Sequence, residues 1–354
     1  MAFLKVENVS IKGISGCVPK NVEENINLPF YSSKEEAKKV IEAIGIERRH
    51  ISTEEITASD LCLKAAEILI EKLGWEKDSI DLLAFCTQNP DYRNHPNSFV
   101  VHEKLHLKSN TMCIDFYHGC PGWVVSLSSV ATMVQNGYIK RAILLDGDTV
   151  TKDQNPNNRE SRPLFGEAGT ATAIEYTLGA KPIYFESGSQ SEDGHALHDE
   201  IGGWRKPFDL ETIKYTLDLK AGRISEEQMR FKMDSMDVFS FAISKAPKSL
   251  KKLCKEFSIN IEEIDNIVLH QANKYILENI AKRMNIDMTH VPMSLKNFGN
   301  TTSASIPLTF VSELHDKLTT TKQKNLVCGY GTGLSWASAY FETENIVCPK
   351  IQEI

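Results

Sequence analysis

The sequence of 354 residues predicts an α/β protein assembled from two similar halves. Three observations point there. Short apolar runs bounded by turn residues alternate with longer amphipathic stretches, a pattern from which parallel sheets covered by helices are expected. One helix–strand unit occurs twice: DLCLKAAEILIEKLGW followed by IDLLAFC over 60–86, and FSFAISKAPKSLKKLCKEF followed by IDNIVLH over 239–270. Each half then closes on a strand and a Gly-rich turn, AILLDGD at 142–148 and NLVCGYGTG at 325–333.

The two aspartates that open the repeated strands, Asp81 and Asp265, stand 184 positions apart (265 less 81), about half the chain. The halves are therefore placed at 1–180 and 181–354, giving two sheets packed through shared helices. No low-complexity segment separates them. Hydrophobic residues at 41% and charged residues at 25% suit a soluble globular chain. A net charge of −7 argues against nucleic acid as the main partner. No apolar run approaches the roughly 18 residues of a membrane span, and the first residues, MAFLKVENVSIKGISG, alternate like a strand rather than a signal peptide. The eight cysteines are scattered singly, with no CxxC pair and no Cys/His cluster. A reducing, cytoplasmic setting without a metal or redox cofactor is expected.

Three segments carry candidate chemistry. In TMCIDFYHGCPGWVVSLSSVATMVQNG, from residue 111, a strand ends in His118-Gly119-Cys120-Pro121-Gly122 and a helix of small and apolar residues follows. Pro121 suits a first helical turn, which puts Cys120 at a helix N-terminus where thiolate formation is favoured. Read alone, Cys120 is either a nucleophile or a buried structural thiol. In VLHQANKYILENIAKRM, from 268, a strand ends at His270, pointing to the crevice where α/β sheets bind ligands; a surface or capping histidine fits equally. In NFGNTTSASIPLTFVSELHDKL, from 297, Asn300 precedes a run of small residues and suits either a site or an ordinary N-cap.

Together and in this order, Gly-Cys120-Pro-Gly, His270-Gln-Ala-Asn273 and Gly299-Asn300-Thr-Thr-Ser-Ala resemble the active-site blocks of β-ketoacyl-(acyl carrier protein) synthase III. The resemblance extends to Gly45-Ile46-Glu47-Arg48-Arg49-His50, Leu164-Phe165-Gly166-Glu167-Ala168-Gly169 and Gly331-Thr332-Gly333-Leu334-Ser335-Trp336. It runs from about residue 8 to 342 and is weakest from about 180 to 230. It implies a thiolase-like α/β/α/β/α five-layer fold and an acyltransferase that joins two thioesters. On this resemblance Cys120 takes the acyl group, backbone N–H groups of Cys120, Gly331 and Thr332 hold the oxyanion, and His270 and Asn300 donate to the enolate of a decarboxylating malonyl thioester. Phe165 and Asn273, within the matched blocks, are expected to contact substrate.

Departures from the family bear on substrate. The family's adenine-stacking Trp and its neighbouring Arg correspond to Lys39 and Ala43, whereas its other adenine-side arginine is kept as Arg159. That loss favours a carrier protein over coenzyme A as acyl donor, with acyl-coenzyme A as the alternative. In CTQNPDYRNHPNSF (86–99), the loop that enters the partner subunit's pocket in this family, His95 stands where an apolar gate residue is usual. Tyr117 and His118 are large where alanine is common, so a shorter or more polar pocket is expected, unless His95 and His118 are structural rim residues. Thr332 replaces a glycine but keeps its backbone N–H. The resemblance implies a homodimer and an acidic carrier-protein partner. Lys274, Lys282 and Arg283 are candidate docking residues. Lys245, Lys248, Lys251, Lys252 and Lys255 fit either docking or a solvated face. The competing readings are an acyltransferase forming an ester or amide, and an inert subunit of a heteromeric synthase. The second requires a missing nucleophile or histidine, and both are present.

Overall fold

The computed structural model describes residues 2–154, 157–199, 201–207 and 232–354. Residues 208–231, which take in the last part of the weakly matching stretch, lie outside the described residues. Two sheets form the frame. The larger runs β15 (Gln352–Glu353), β2 (Val9–Val18), β8 (Ala168–Tyr176), β7 (Arg141–Asp148), β5 (Leu82–Thr87), β6 (Met112–Tyr117). The other runs β1 (Ala2–Val6), β9 (Ile183–Ser189), β14 (Ser335–Glu344), β13 (Lys322–Gly331), β12 (Asn266–Leu269). Two short pairs, β3 (Val22–Glu24) with β4 (Arg48–His50) and β10 (Leu197–His198) with β11 (Lys232–Met233), stand apart.

The layers follow from strand alternation. In β5, Leu83 and Phe85 face outward and pack with Leu61 and Leu69 of α2 (Ala58–Leu73) and Val101 of α3 (Asn97–Leu105). Leu82 and Ala84 face inward onto α4 (Gly122–Val134), with Trp123 and Leu127. Covered on both faces, β5 is buried at all six positions, which is why it reads as an unbroken apolar run. The same central layer takes Val268, Val327 and Phe341 from the second sheet, together with Ile306 and Phe310 of a second buried helix, Ser305–Glu313. On the far side, Ile267, Leu269 and Leu326 pack on α5 (Ser235–Glu256) and α6 (Lys274–Met284). The order is helix, sheet, helix, sheet, helix, as the resemblance implies.

The expectation of parallel sheets is corrected. β5 runs parallel to β6 and β7, and β12 to β13, but β7–β8, β8–β2, β13–β14, β14–β9 and β9–β1 are antiparallel. A parallel neighbour needs a long crossover, whereas β13 and β14 are joined across Thr332–Leu334 alone, so the chain must double back. The duplication is visible at the two aspartates. Asp81 Oδ2 accepts from the backbone N–H of Lys140 (2.8 Å), and the Asp81 N–H donates to the carbonyl of Arg141, at the start of β7. Asp265 Oδ2 accepts from Lys324 N–H (2.7 Å), and the Asp265 N–H donates to the same residue's carbonyl, in β13. Each aspartate pins the start of a strand, β5 or β12, to its parallel neighbour, β7 or β13. Among the described residues no helix is long and apolar enough to cross a membrane.

Candidate active site

Cys120 sits in the turn between β6 and α4, with Pro121 as the residue before the helix and the Gly119 carbonyl accepting the Gly122 N–H at 2.7 Å. The residue is 8% exposed, because the turn after β13 closes over it. Gly331 has φ +151°, and a Cβ there would lie 2.8 Å from both Cβ and Sγ of Cys120, so no other residue allows this approach. The Gly331–Thr332 backbone thereby lies against the sulfur. Burial pushes the Cys120 thiol up to about 11, while the Thr332 and Cys120 backbone N–H groups and the Thr332 side chain pull the other way. The expectation of a lowered thiol pKa at the helix N-terminus is thus corrected: desolvation, with the charge of Asp148, outweighs the N–H and hydroxyl donors in this enclosed position.

His270 follows β12, and its backbone N–H continues the ladder to the Cys328 carbonyl at 2.9 Å. The Tyr330 hydroxyl donates to the His270 carbonyl at 2.9 Å, and the imidazole Nδ1 lies 2.7 Å from Ser305 Oγ. Burial depresses the imidazole to about 3, with a hydrogen bond to the Thr302 backbone opposing it, so His270 is neutral at physiological pH. A hydroxyl donates or accepts, so Ser305 suits either tautomer. Gln271 is structural: its side chain donates to the Leu269 carbonyl (2.7 Å) and accepts the Ser294 N–H (3.0 Å).

Asn300 is held by an exchange with the Leu164-Phe165-Gly166 segment: its N–H donates to the Leu164 carbonyl (2.8 Å), and its carbonyl accepts from Gly166 (3.1 Å). A Cβ at Gly166 would meet the Phe298 carbonyl at 2.1 Å, which explains the glycine. Asn300 Oδ1 accepts the Thr302 N–H at 2.9 Å. An N–H can donate only to oxygen, so the amide orientation is fixed and its NH2 end is left as a donor.

One cavity is lined by Cys120, His270, Asn300, Phe165, Asn273, Gly331 and Thr332. Sequence reasoning missed several of its other lining residues: Gln88, Tyr330, and the apolar Leu197, Met233, Val238 and Phe239. Gln88 directly follows the strand IDLLAFCT, a position where α/β sheets offer ligand contacts; the signal was there. Also missed was Asp148, the last residue of β7. It accepts from Thr87 Oγ1 (2.9 Å) and Gln88 N (2.8 Å) with one oxygen. With the other it accepts from Thr302 Oγ1, Ser303 N (3.3 Å) and Ser303 Oγ (2.7 Å). It ties the end of β5 to the Asn300 loop. Burial holds its carboxyl above the usual range despite these donors.

The remaining candidates are dispersed. Asn273 lines the cavity, but its side chain caps α6, accepting the Ile276 N–H at 2.8 Å. Arg159 is exposed and ion-pairs with Glu36 on the helix Lys34–Ile44 that carries Lys39 and Ala43. His95 is exposed on its loop between the rings of Tyr92 and Phe99, at 6.5 and 6.3 Å. Lys274 lies at the site end of α6 beside Glu278 (3.8 Å), whereas Lys282 and Arg283 are exposed in its last turn. Lys245 stacks over Trp336 at 5.1 Å on α5. Among the described residues no group of three or more His, Cys, Asp or Glu is placed to hold a metal.

Comparison with known proteins gives consistent matches. Residues 114–191 match the family described as 3-oxoacyl-[acyl-carrier-protein (ACP)] synthase III, and 254–343 its C-terminal family. A Clostridium acetobutylicum protein named beta-ketoacyl-[acyl-carrier-protein] synthase III is 30% identical over 334 residues, 94% of this chain and 98% of that one. A Streptococcus agalactiae protein of the same name is 30% identical over 299 residues, covering 83% and 87%. The crystal structure of a 3-oxoacyl-(acyl-carrier protein) synthase from Burkholderia xenovorans LB400 superposes with a TM-score of 0.92 at 31% identity, covering 100% and 99%.

Proposed function

The chain belongs to the β-ketoacyl-[acyl-carrier-protein] synthase III family of condensing acyltransferases, and on that premise we propose that it performs a decarboxylative Claisen condensation through an acyl group carried on Cys120. The Cys120 sulfur attacks the carbonyl carbon of an acyl thioester. Backbone N–H groups of Cys120 and Thr332 hold the oxyanion; the donor's C–S bond then breaks and its thiol leaves with a proton. With a thiol near 11, sulfur needs help to lose its proton. An imidazole near 3 is too weak a base to hold that proton, so it passes to the leaving thiolate as the C–S bond breaks.

A malonyl thioester then loses its carboxylate as CO2. The released electron pair forms an enolate, whose carbon bonds to the acyl carbonyl as the carbon–Sγ bond breaks; the sulfur leaves as a thiolate and takes up one proton from solvent, returning Cys120 to the thiol. His270, as the Nε2–H tautomer with Ser305 donating to Nδ1, and the NH2 of Asn300 donate to the enolate oxygen. The observation that carries this reading is the convergence of Cys120, His270 and Asn300 on one cavity, with the Asn300 amide oxygen already engaged. The test supplies acyl and malonyl thioesters to purified protein; absence of both CO2 and a β-ketoacyl thioester overturns it.

We further propose that the donors are acyl carrier protein thioesters, with Lys274, Lys282 and Arg283 as contacts, and that the chain is a homodimer. Edge strand β6 and its surroundings support the second point: Met112, Tyr117 and Phe99 are 45%, 79% and 47% exposed. A second reading, transfer to an alcohol or amine, draws support from Arg159, which pairs with Glu36 rather than standing open for a nucleotide. Product analysis with the malonyl thioester withheld separates the two.

A further inference from the structure

A second, half-open cavity of about 420 Å³ adjoins the first and shares Gln88, Leu197 and Thr332 with it. It begins at Gly119, next to the nucleophile, and opens away from His270 and Asn300, which line only the first cavity. An acyl group on Cys120 leaves the His270 side to the incoming thioester, so this chamber is the space open to its distal end.

Most of the lining residues are polar, although apolar atoms, the Tyr117 ring among them, make up the larger part of its surface. Aliphatic side chains are confined to Val150 and Leu197, while His118, Asp153, His198 and Asp199 bring two carboxyls and two imidazoles. None of the described residues that line it is Lys or Arg. Asp153 accepts from the Asn89 amide. His198 Nδ1 lies 2.8 Å from the His195 carbonyl. The buried Nδ1 of His118 has no hydrogen-bond partner among the described residues. Burial, and next the charge of Asp153, hold the Asp199 carboxyl above its ordinary value, with His198 opposing. Asp153 and Asp199 are exposed at the chamber's open side, so an alkyl chain laid here returns no hydrogen bond to them, whereas a group carrying N–H or O–H donors would meet acceptors.

Resting on the acyl-enzyme reading above, we infer that this chamber selects short acyl groups bearing a hydrogen-bond donor, an ammonium or a hydroxyl, over alkyl acyl groups of the same shape. The specificity residues are Asp153 and Asp199, with His118.

The experiment follows Cys120 acylation by intact mass in the full chain, using two isosteric pairs of acyl carrier protein thioesters. They are β-alanyl against butyryl, and 3-hydroxybutyryl against 3-methylbutyryl. The donor-bearing member is expected to acylate at least about tenfold faster in one pair or both, since a site built around hydrogen bonds rejects the analogue that lacks them. Asp199→Leu is expected to shrink that ratio, and Asp199→Asn, closer in shape, guards against misfolding. Equal or faster acylation by both alkyl members overturns the inference while leaving Cys120 as the nucleophile. No adduct from any of the four, with Cys120 still alkylated by iodoacetamide, overturns the acyl-enzyme reading and this inference with it.

Discussion

The two halves share a scaffold and divide the chemistry. In each, an aspartate pins the next strand, Asp81 to β7 and Asp265 to β13, and a buried helix fills the central layer. Yet the first half sets a sulfur at the start of its buried helix, while the second offers a neutral imidazole and an amide. Burial acts on both in the same physical sense, favouring the uncharged form: the thiol rises to about 11 and the imidazole falls to about 3. The lesson is that the repeated frame fixes where side chains stand, and the residue at each strand end decides what is done there.

Substitutions should split the halves cleanly. The largest effect is expected for Cys120→Ala, which removes the acyl adduct altogether while leaving CO2 release from malonyl thioester measurable. Retention of an adduct would place the nucleophile elsewhere. Next, Asn300→Asp should lower decarboxylation by about 10²–10³-fold and spare acylation, because a carboxylate faces the enolate where a donor stood. Equal losses in both steps would show that the two roles are not separate.

A pH profile sharpens the same contrast. With the imidazole depressed to about 3, decarboxylation should show no inflection near 6.5 between pH 8 and 5; a histidine-like limb there contradicts the neutral donor. The sign for stability follows. The unfolded chain protonates this histidine below about 6.5 and the folded one only near 3, so the fold loses stability as pH falls across that window. The smallest effects belong to the shared scaffold. Asp81→Ala and Asp265→Ala should each cost about 1–2 kcal/mol in urea unfolding, with acylation retained. Asp81 should cost the more, since it also pairs with Lys108 at 3.2 Å.

The nucleophile turn, the histidine at its strand end and the Asn300 loop were legible because glycine, proline and strand-end position leave local marks. The layered frame was legible in the helix–strand repeat. Strand direction was not: nothing in the local pattern of β8 or β14 says that it turns back on its neighbour. Nor was the height of the Cys120 thiol pKa, which depends on how tightly Gly331 closes over it. Asp148 reads in the sequence as the end of an apolar strand, and its five donors come from residues about 60 positions before it and 155 after. The polar chamber was anticipated at Tyr117 and His118, and touched at Thr332. Asp153, His198 and Asp199 carry no motif and meet it through tertiary packing.

The most direct test loads the wild-type protein with an acyl group, removes free donor, adds malonyl thioester, and follows the Cys120 adduct by intact mass alongside the released thioester. Loss of the adduct matched mole for mole by CO2 and a β-ketoacyl thioester is the expected result. An adduct that persists, or one that leaves as free acid or as an ester or amide without CO2, contradicts condensation as the reaction of this site.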